Sequence, residues 1–308
     1  MQYPKHVEII EVGPRDGFQN VKEFIPTQIK LDIINDLIES GIKEMQLTSF
    51  VNPKVLPQMA DASEVTRTIL KSGKKPLRPI ALVPNFKGAR DAYENGIRTV
   101  SFVISASEKH NMANVNCSKE ESVDTLRNII SSFYDLDVRL DIATAFACPF
   151  EGMTPEDSVH DLVKIANDAG VKEIVICDTI GIANPKHVAT LCEKLLTSST
   201  APLALHIHDT RGLGLVNMLA GLQTGIRRFE TAIGGLGGCP FAPGAAGNTA
   251  TEDAINMFES MGIATGIDLE KYLKAVEVVK QRIKCDLTSR MCYARTYEHE
   301  KIKLDVRK

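Results

Sequence analysis

A chain of 308 residues, 44% apolar and 24% charged, has the composition of a globular protein with ample length for a large core. Its net charge of -3 excludes a basic face for nucleic acid and a polybasic patch for a membrane surface. No apolar run is long enough to span a bilayer, and so few residues precede the first strand that no signal or transit peptide is expected. Seven scattered cysteines (117, 148, 177, 192, 239, 285 and 292), odd in number and without a C-x-x-C pair, point to neither a disulfide framework nor structural zinc. A reducing cytoplasm fits them.

Short apolar runs alternate with amphipathic stretches along the chain. The first strand is read at 7–12, followed by a helix from Thr27 whose Ile29, Ile33, Ile34, Leu37 and Ile38 mark one face before Gly41 stops it. Strands at 44–48, 78–83 and 99–104 follow, with helices near 60–70, at 87–95 and, after a long polar loop, at 119–134. Strands at 138–144, 173–177, 203–208 and 229–233 come next, with helices at 155–169, 185–196, 217–223 and 251–261. Pairs of the type Gly41-Ile42, Gly96-Ile97, Gly170-Val171 and Gly225-Ile226 repeat as a helix stop running into a strand start. Eight strand-then-helix units over this length predict a closed (β/α)8 TIM barrel, with 268–284 as an additional C-terminal helix. An open doubly wound sheet is the competing fold, but the first strand ends in Gly13-Pro14-Arg15-Asp16-Gly17 and not in a glycine phosphate fingerprint. The whole chain, 1–308, reads as one catalytic domain, with 285–308 a peripheral or mobile tail.

In such a barrel, chemistry collects at the C-terminal ends of the strands. Those ends offer Arg15 and Asp16, Gln46 and Thr48, Asp178 and Thr179, His206 and His208, and Cys239 and Asn248. Residues at i and i+2 of a strand share a face, so both imidazoles of His206-Ile207-His208 point into the barrel mouth. Paired histidines often do no more than hydrogen-bond there. With Asp16 at a matching strand end, and Asn248 able to add an amide oxygen, a divalent cation is the stronger reading. A nitrogen-and-oxygen donor set suits Mg or Mn, or a borderline metal such as Co or Zn.

Arg15 beside Asp16 is either an ordinary ion pair or a fixed cation for an oxygen that becomes anionic. Asp178 and Thr179 suit a histidine anchor or a substrate contact. The stretch Gly234–Asn248, GGLGGCPFAPGAAGN, holds neither helix nor strand and carries Cys239 on a shaped turn. A free cysteine is usually a small buried residue; beside a cation it suits proton transfer.

Gly13–Gly17, Thr48-Ser49-Phe50-Val51, Asp178-Thr179-Ile180-Gly181, His206–Thr210 and the 234–248 loop resemble the 3-hydroxy-3-methylglutaryl-CoA lyases, a branch of the metal-dependent DRE-TIM lyases and condensing enzymes. The likeness runs from about residue 7 to 284. It implies a TIM barrel, a divalent cation, and cleavage of 3-hydroxy-3-methylglutaryl-CoA to acetyl-CoA and acetoacetate, the chemistry of leucine breakdown and ketone-body formation. It further implies Asp16, His206, His208 and Asn248 as metal ligands, Arg15 as the partner of the enolate oxygen, and Cys239 as acid or base, with Asp16 and Asp178 also among the catalytic groups. Substrate contacts are expected from Arg15, Gln19, Gln46 and Thr179, and CoA contacts from Asn20, Lys22 and the loop 105–116, these last placed by position only. The partner is an acyl-CoA thioester, not a nucleic acid or a membrane, and the expected assembly is a homodimer or higher homo-oligomer.

One position departs from the family pattern: Gln46 stands where a glutamate is usual. An amide supplies no charge to Arg15, which implies a slower enzyme, a related 3-hydroxy-3-alkyl diacid CoA thioester as substrate, or a non-catalytic relative. On that reasoning Gln46→Glu is expected to raise turnover. A condensing synthase lacks the cysteine loop, and a Schiff-base aldolase needs a lysine that no strand's C-terminal end offers.

Overall fold

The computed structural model describes residues 3–73, 77–238 and 247–294. Eight parallel strands close into a barrel: β1 (Glu8–Glu11), β2 (Glu44–Ser49), β3 (Arg78–Val83), β4 (Thr99–Ser105), β5 (Asp137–Ala143), β6 (Glu173–Asp178), β7 (Leu203–Ile207) and β8 (Arg228–Thr231). Each strand pairs with its sequence neighbour, and β1 pairs with β8 in the register Glu11↔Thr231 to close the ring. This is the expected (β/α)8 fold. The helix stops end as their sequence suggested, with Gly41, Gly96, Gly170 and Gly225 all at positive φ. A side chain with a Cβ pays a steric cost there, so these glycines release each chain segment directly into the next strand.

Around the barrel run α1 (Thr27–Ser40), α2 (Ala62–Ser72), α3 (Phe86–Glu94), α4 (Glu108–Val115), α5 (Lys119–Ser132), α6 (Glu156–Ala169), α7 (Pro185–Ser198), α8 (Gly214–Thr224), α9 (Thr251–Ser260) and α10 (Leu269–Arg282). Helix α4 occupies a stretch expected to be a polar loop. Its local signal is Ser107, whose hydroxyl accepts from His110 N at 3.1 Å as an N-cap. The large apolar core lies between the helices and the outer faces of the strands, where Ile33, Leu37, Val100, Leu140, Leu191 and Phe258 are buried.

The barrel interior is different. A small apolar cluster (Ile10, Val12, Ile80, Val175, Cys177, Ala204, Ala232) shares it with charged side chains. At its base Arg228 bridges Glu44 at 2.7 Å and also meets Glu8 and Glu173. Arg139, wholly buried, joins Glu173 to Glu230.

Helix α10 buries Tyr272, Ala275, Val276 and Val279, and its Tyr272 hydroxyl donates to Glu11 Oε2 at 2.5 Å. Beyond it, residues 285–294 lie on the barrel mouth: Thr288 N donates to Gly234 O at 3.0 Å, and Asp253 accepts from Ser289 Oγ, Arg290 N and Met291 N. The rest of the expected tail, 295–308, falls outside the described residues.

Candidate metal centre and active site

The turn after β1 sets the site. Residues Gly13–Gly17 form one π-helical turn, all buried, with Pro14 at its start where a backbone N–H is not needed. Glu11 fixes this turn by accepting from Gly13 N at 2.7 Å and Ile233 N at 2.9 Å. Arg15 and Asp16 are thereby aimed into the barrel mouth, 7% and 6% exposed.

His206 lies on β7 and His208 one residue past it, on the same face. The chain leaving β8 returns at 247–250 and pairs with both neighbouring strand ends: His208 bridges Asn248, and Ala232 bridges Ala250. That return carries Asn248 to Asp16, although the two are 232 positions apart in sequence. Gly237 is obligatory beneath them. At φ +125°, a Cβ there would stand 2.4 Å from Asn248 Nδ2 and 3.2 Å from Asp16 Oδ2.

Asp16, His206 and His208 offer ligand atoms that all lie within 4.8 Å of one another, and all three are buried. Asp16 Oδ1 accepts from Arg15 Nη1 at 2.5 Å and Gln19 Nε2 at 2.9 Å; Oδ2 accepts from Asn248 Nδ2 at 2.6 Å. Burial pushes the Asp16 carboxyl up, but the charges of Arg15, His206 and His208 outweigh it and hold it below its ordinary value. His206 Nδ1 lies 2.9 Å from Glu230 Oε2, and its Nε2 faces His208 Nε2 at 3.1 Å. Burial disfavours the charged His206 imidazole; hydrogen bonding and charge from Glu230 more than restore it, so its pKa rises. His208 goes the other way, pushed down to about 4 by burial and by His206.

Two imidazole nitrogens facing each other are stable only with a proton or a cation between them. A divalent ion can take the place of that proton. His208 Nδ1 and Asn248 Oδ1 are buried without a hydrogen-bond partner among the described residues. Donor chemistry, convergence and this unpartnered amide oxygen all fit a hard or borderline divalent cation.

The other expected site residues divide. Gln46 is buried and accepts from Arg15 Nε at 2.6 Å. Asn20 Nδ2 donates to Asp16 O at 2.9 Å, stiffening the turn, while Lys22 is exposed. Asp178 turns its carboxylate onto Ile182 N and Ala183 N, both at 3.0 Å, and burial pushes its pKa up to about 6. Thr179 Oγ1 accepts from Thr144 N at 2.7 Å. Thr144 itself sits at φ +55°, strained backbone for a β-branched residue at a strand end. Ser105–Asn116 is largely α4. Cys239 lies outside the described residues.

Sequence reasoning missed Glu230, Arg139 and Asp141. All three project into the barrel from runs read only as apolar strands. The available signal was charge at alternate positions inside such a run, as in Arg139-Leu140-Asp141.

A family model described as HMGL-like matches residues 6–279. The hydroxymethylglutaryl-CoA lyase YngG of Bacillus subtilis is 43% identical over 293 residues, 94% of this chain and 97% of its own. The cytoplasmic 3-hydroxy-3-methylglutaryl-CoA lyase of Mus musculus is 40% identical over 94% of this chain and 85% of its own. A solved HMG-CoA lyase from Acinetobacter baumannii, in complex with coenzyme A and 3-methylmalate, superimposes with a TM-score of 0.92 at 38% identity, covering 98% of this chain and 99% of that one. With a match that starts before β1 and reaches into α10, the chain belongs to the HMGL-like family.

Proposed function

We propose that this protein is a 3-hydroxy-3-methylglutaryl-CoA lyase, cleaving its substrate to acetyl-CoA and acetoacetate by a retro-Claisen reaction. The observation that carries the reading is the convergence of Asp16, His206 and His208 within 4.8 Å, with Arg15 bonded to Asp16. Asp16, His206, His208 and the free oxygen of Asn248 would hold a divalent cation, Mg or Mn by donor type. Such an ion, when bound, supplies a Lewis acid that gathers the tertiary alcohol and an acyl oxygen of the substrate.

The chain's own groups account for the rest. Cleavage needs removal of the hydroxyl proton, rupture of the carbon–carbon bond, and stabilisation of the thioester enolate that leaves. Arg15 has Nη1 and Nε committed to Asp16 and Gln46, which fixes the guanidinium plane. Its Nη2, without a partner among the described residues, is left for the enolate oxygen. A donor preset for charge that develops only during reaction stabilises the transition state more than the substrate. Cys239, on the 234–248 loop, is assigned the proton that converts the enolate carbon to the acetyl methyl group. The same 234–248 loop is assigned the exclusion of water. The scattered cysteines support a cytoplasmic location, and no helix among the described residues is long and apolar enough to cross a membrane.

The test is a coupled acetoacetate assay on purified protein with the methylglutaryl thioester and a panel of 3-hydroxy-3-alkyl acyl-CoAs. Release should stop with EDTA and return with Mn or Mg. EDTA-insensitive release, or none from any thioester by metal-loaded protein, sinks the proposal.

A further inference from the structure

Two groups of the site, Arg15 and His206, need their orientation fixed, and both are held through one carboxylate. Glu230 projects from β8 into the barrel, 1% exposed. Its Oε2 meets His206 Nδ1 at 2.9 Å, while Oε1 accepts from Arg139 Nη2 at 2.7 Å and from Gln46 Nε2 at 3.0 Å. The other end of the same amide, Gln46 Oε1, accepts from Arg15 Nε at 2.6 Å. A side-chain amide serves both contacts because one end accepts and the other donates. A carboxylate at position 46 can accept from Arg15, but its second oxygen would face Glu230 across the 3.0 Å now spanned by an N–H donor. Like charges in that position, buried from water, repel strongly.

We propose that Glu230 is the positioning carboxylate of this site, that the Gln46 amide couples Arg15 to it, and that position 46 must be neutral while position 230 is acidic. The proposal rests on the lyase reading for its kinetic arm only. Glu230 touches no reacting atom. It holds the His206 ring with its Nε2 toward the cation position, as carboxylates behind metal-binding histidines do, and through Gln46 it sets the plane of the Arg15 guanidinium. The missing charge at position 46 is thus carried from a different strand, and the effect expected of Gln46→Glu changes sign.

Four proteins test this: wild type, Gln46→Glu, Glu230→Gln and the double variant, each checked for folding by circular dichroism and thermal melting. In the acetoacetate assay Gln46→Glu should lower kcat roughly 10- to 100-fold with little change in KM. Glu230→Gln should weaken Mn binding to the metal-free protein by a similar roughly 10- to 100-fold factor in calorimetry. Because Glu230→Gln also removes the like charge, it should cost far less kcat in the Gln46→Glu background than alone, a coupling that a merely structural role does not produce. Equal or higher kcat in Gln46→Glu, or losses that simply multiply in the double variant, overturns the proposal. So does unchanged Mn affinity in Glu230→Gln. If wild type cleaves no thioester while Glu230→Gln still loses Mn, the lyase reading fails and the positioning role stands.

Discussion

Replacing Arg139 with methionine tests the charged interior of the barrel directly. The arginine side chain has no exposed surface and meets Glu173, Glu230 and, at 3.2 Å, Ser101 Oγ. Burial alone lowers its pKa, but the two glutamates more than reverse that, so the guanidinium is firmly charged. Methionine keeps most of the aliphatic stem, so the cavity term is small and the loss is electrostatic. Removing one partner of a buried ion pair costs about 3–5 kcal/mol, because a charge is left without compensation. Here each carboxylate keeps another partner: Glu173 retains Arg228, and Glu230 retains His206 and Gln46. The low end applies, about 3 kcal/mol. At roughly 2 °C per kcal/mol for a chain of this size, the melting temperature should fall by about 6 °C. Urea unfolding followed by circular dichroism measures the free energy, and calorimetry the temperature. Arg139→Lys keeps the charge and loses the fork, and should cost about half as much. A loss under about 1 kcal/mol in Arg139→Met refutes the reasoning, since that is the range of an ordinary substitution.

Three further outcomes follow from the same geometry. Burial and the Glu230 charge push the Asp141 carboxyl from an ordinary 3.8 up to about 7, against the pull of Arg139, Arg15 and His206. A raised carboxyl contributes stability fully present below 3.8 and lost as pH rises through 7. Wild type should therefore lose about 3 kcal/mol more than Asp141→Asn between pH 5 and pH 8, and parallel urea midpoints across that window speak against it. Gly237→Ala should lower kcat roughly 100-fold by displacing Asn248 and Asp16, while unaltered kinetics would mean that the loop yields freely. His208→Asn should abolish tight Mn binding in calorimetry; retained affinity removes that imidazole from the centre.

The alternation of strands and helices was legible because each turn from helix to strand is a local event, written in pairs such as Gly170-Val171 and enforced by a positive φ. The same holds for His206 and His208, whose shared face follows from the pleat of one strand. Asp16 was legible only through the order of strands around the ring. Contacts between distant strands were not. Gln46 looked like a lost charge because its partner Glu230 lies 184 positions away, and no local pattern pairs β2 with a side chain from β8 across the interior. Asp178 was a candidate from its position alone; that its oxygens accept from the backbone N–H groups of Ile182 and Ala183 depends on the path of the loop after β6 and was not legible. Helix α4 hid in a polar stretch whose burial depends on the neighbouring β5 turn.

Closure of the ring between β1 and β8 has a consequence for biosynthesis. Asp16 leaves the ribosome early and Asn248 late, and the pair forms only when the last barrel strand docks against the first. A nascent chain stalled before that point carries the two histidines but no completed cage. If these residues hold a cation as proposed, its loading would report that translation has passed the final strand, and fragments released early should compete poorly with the finished polypeptide for scarce cellular metal.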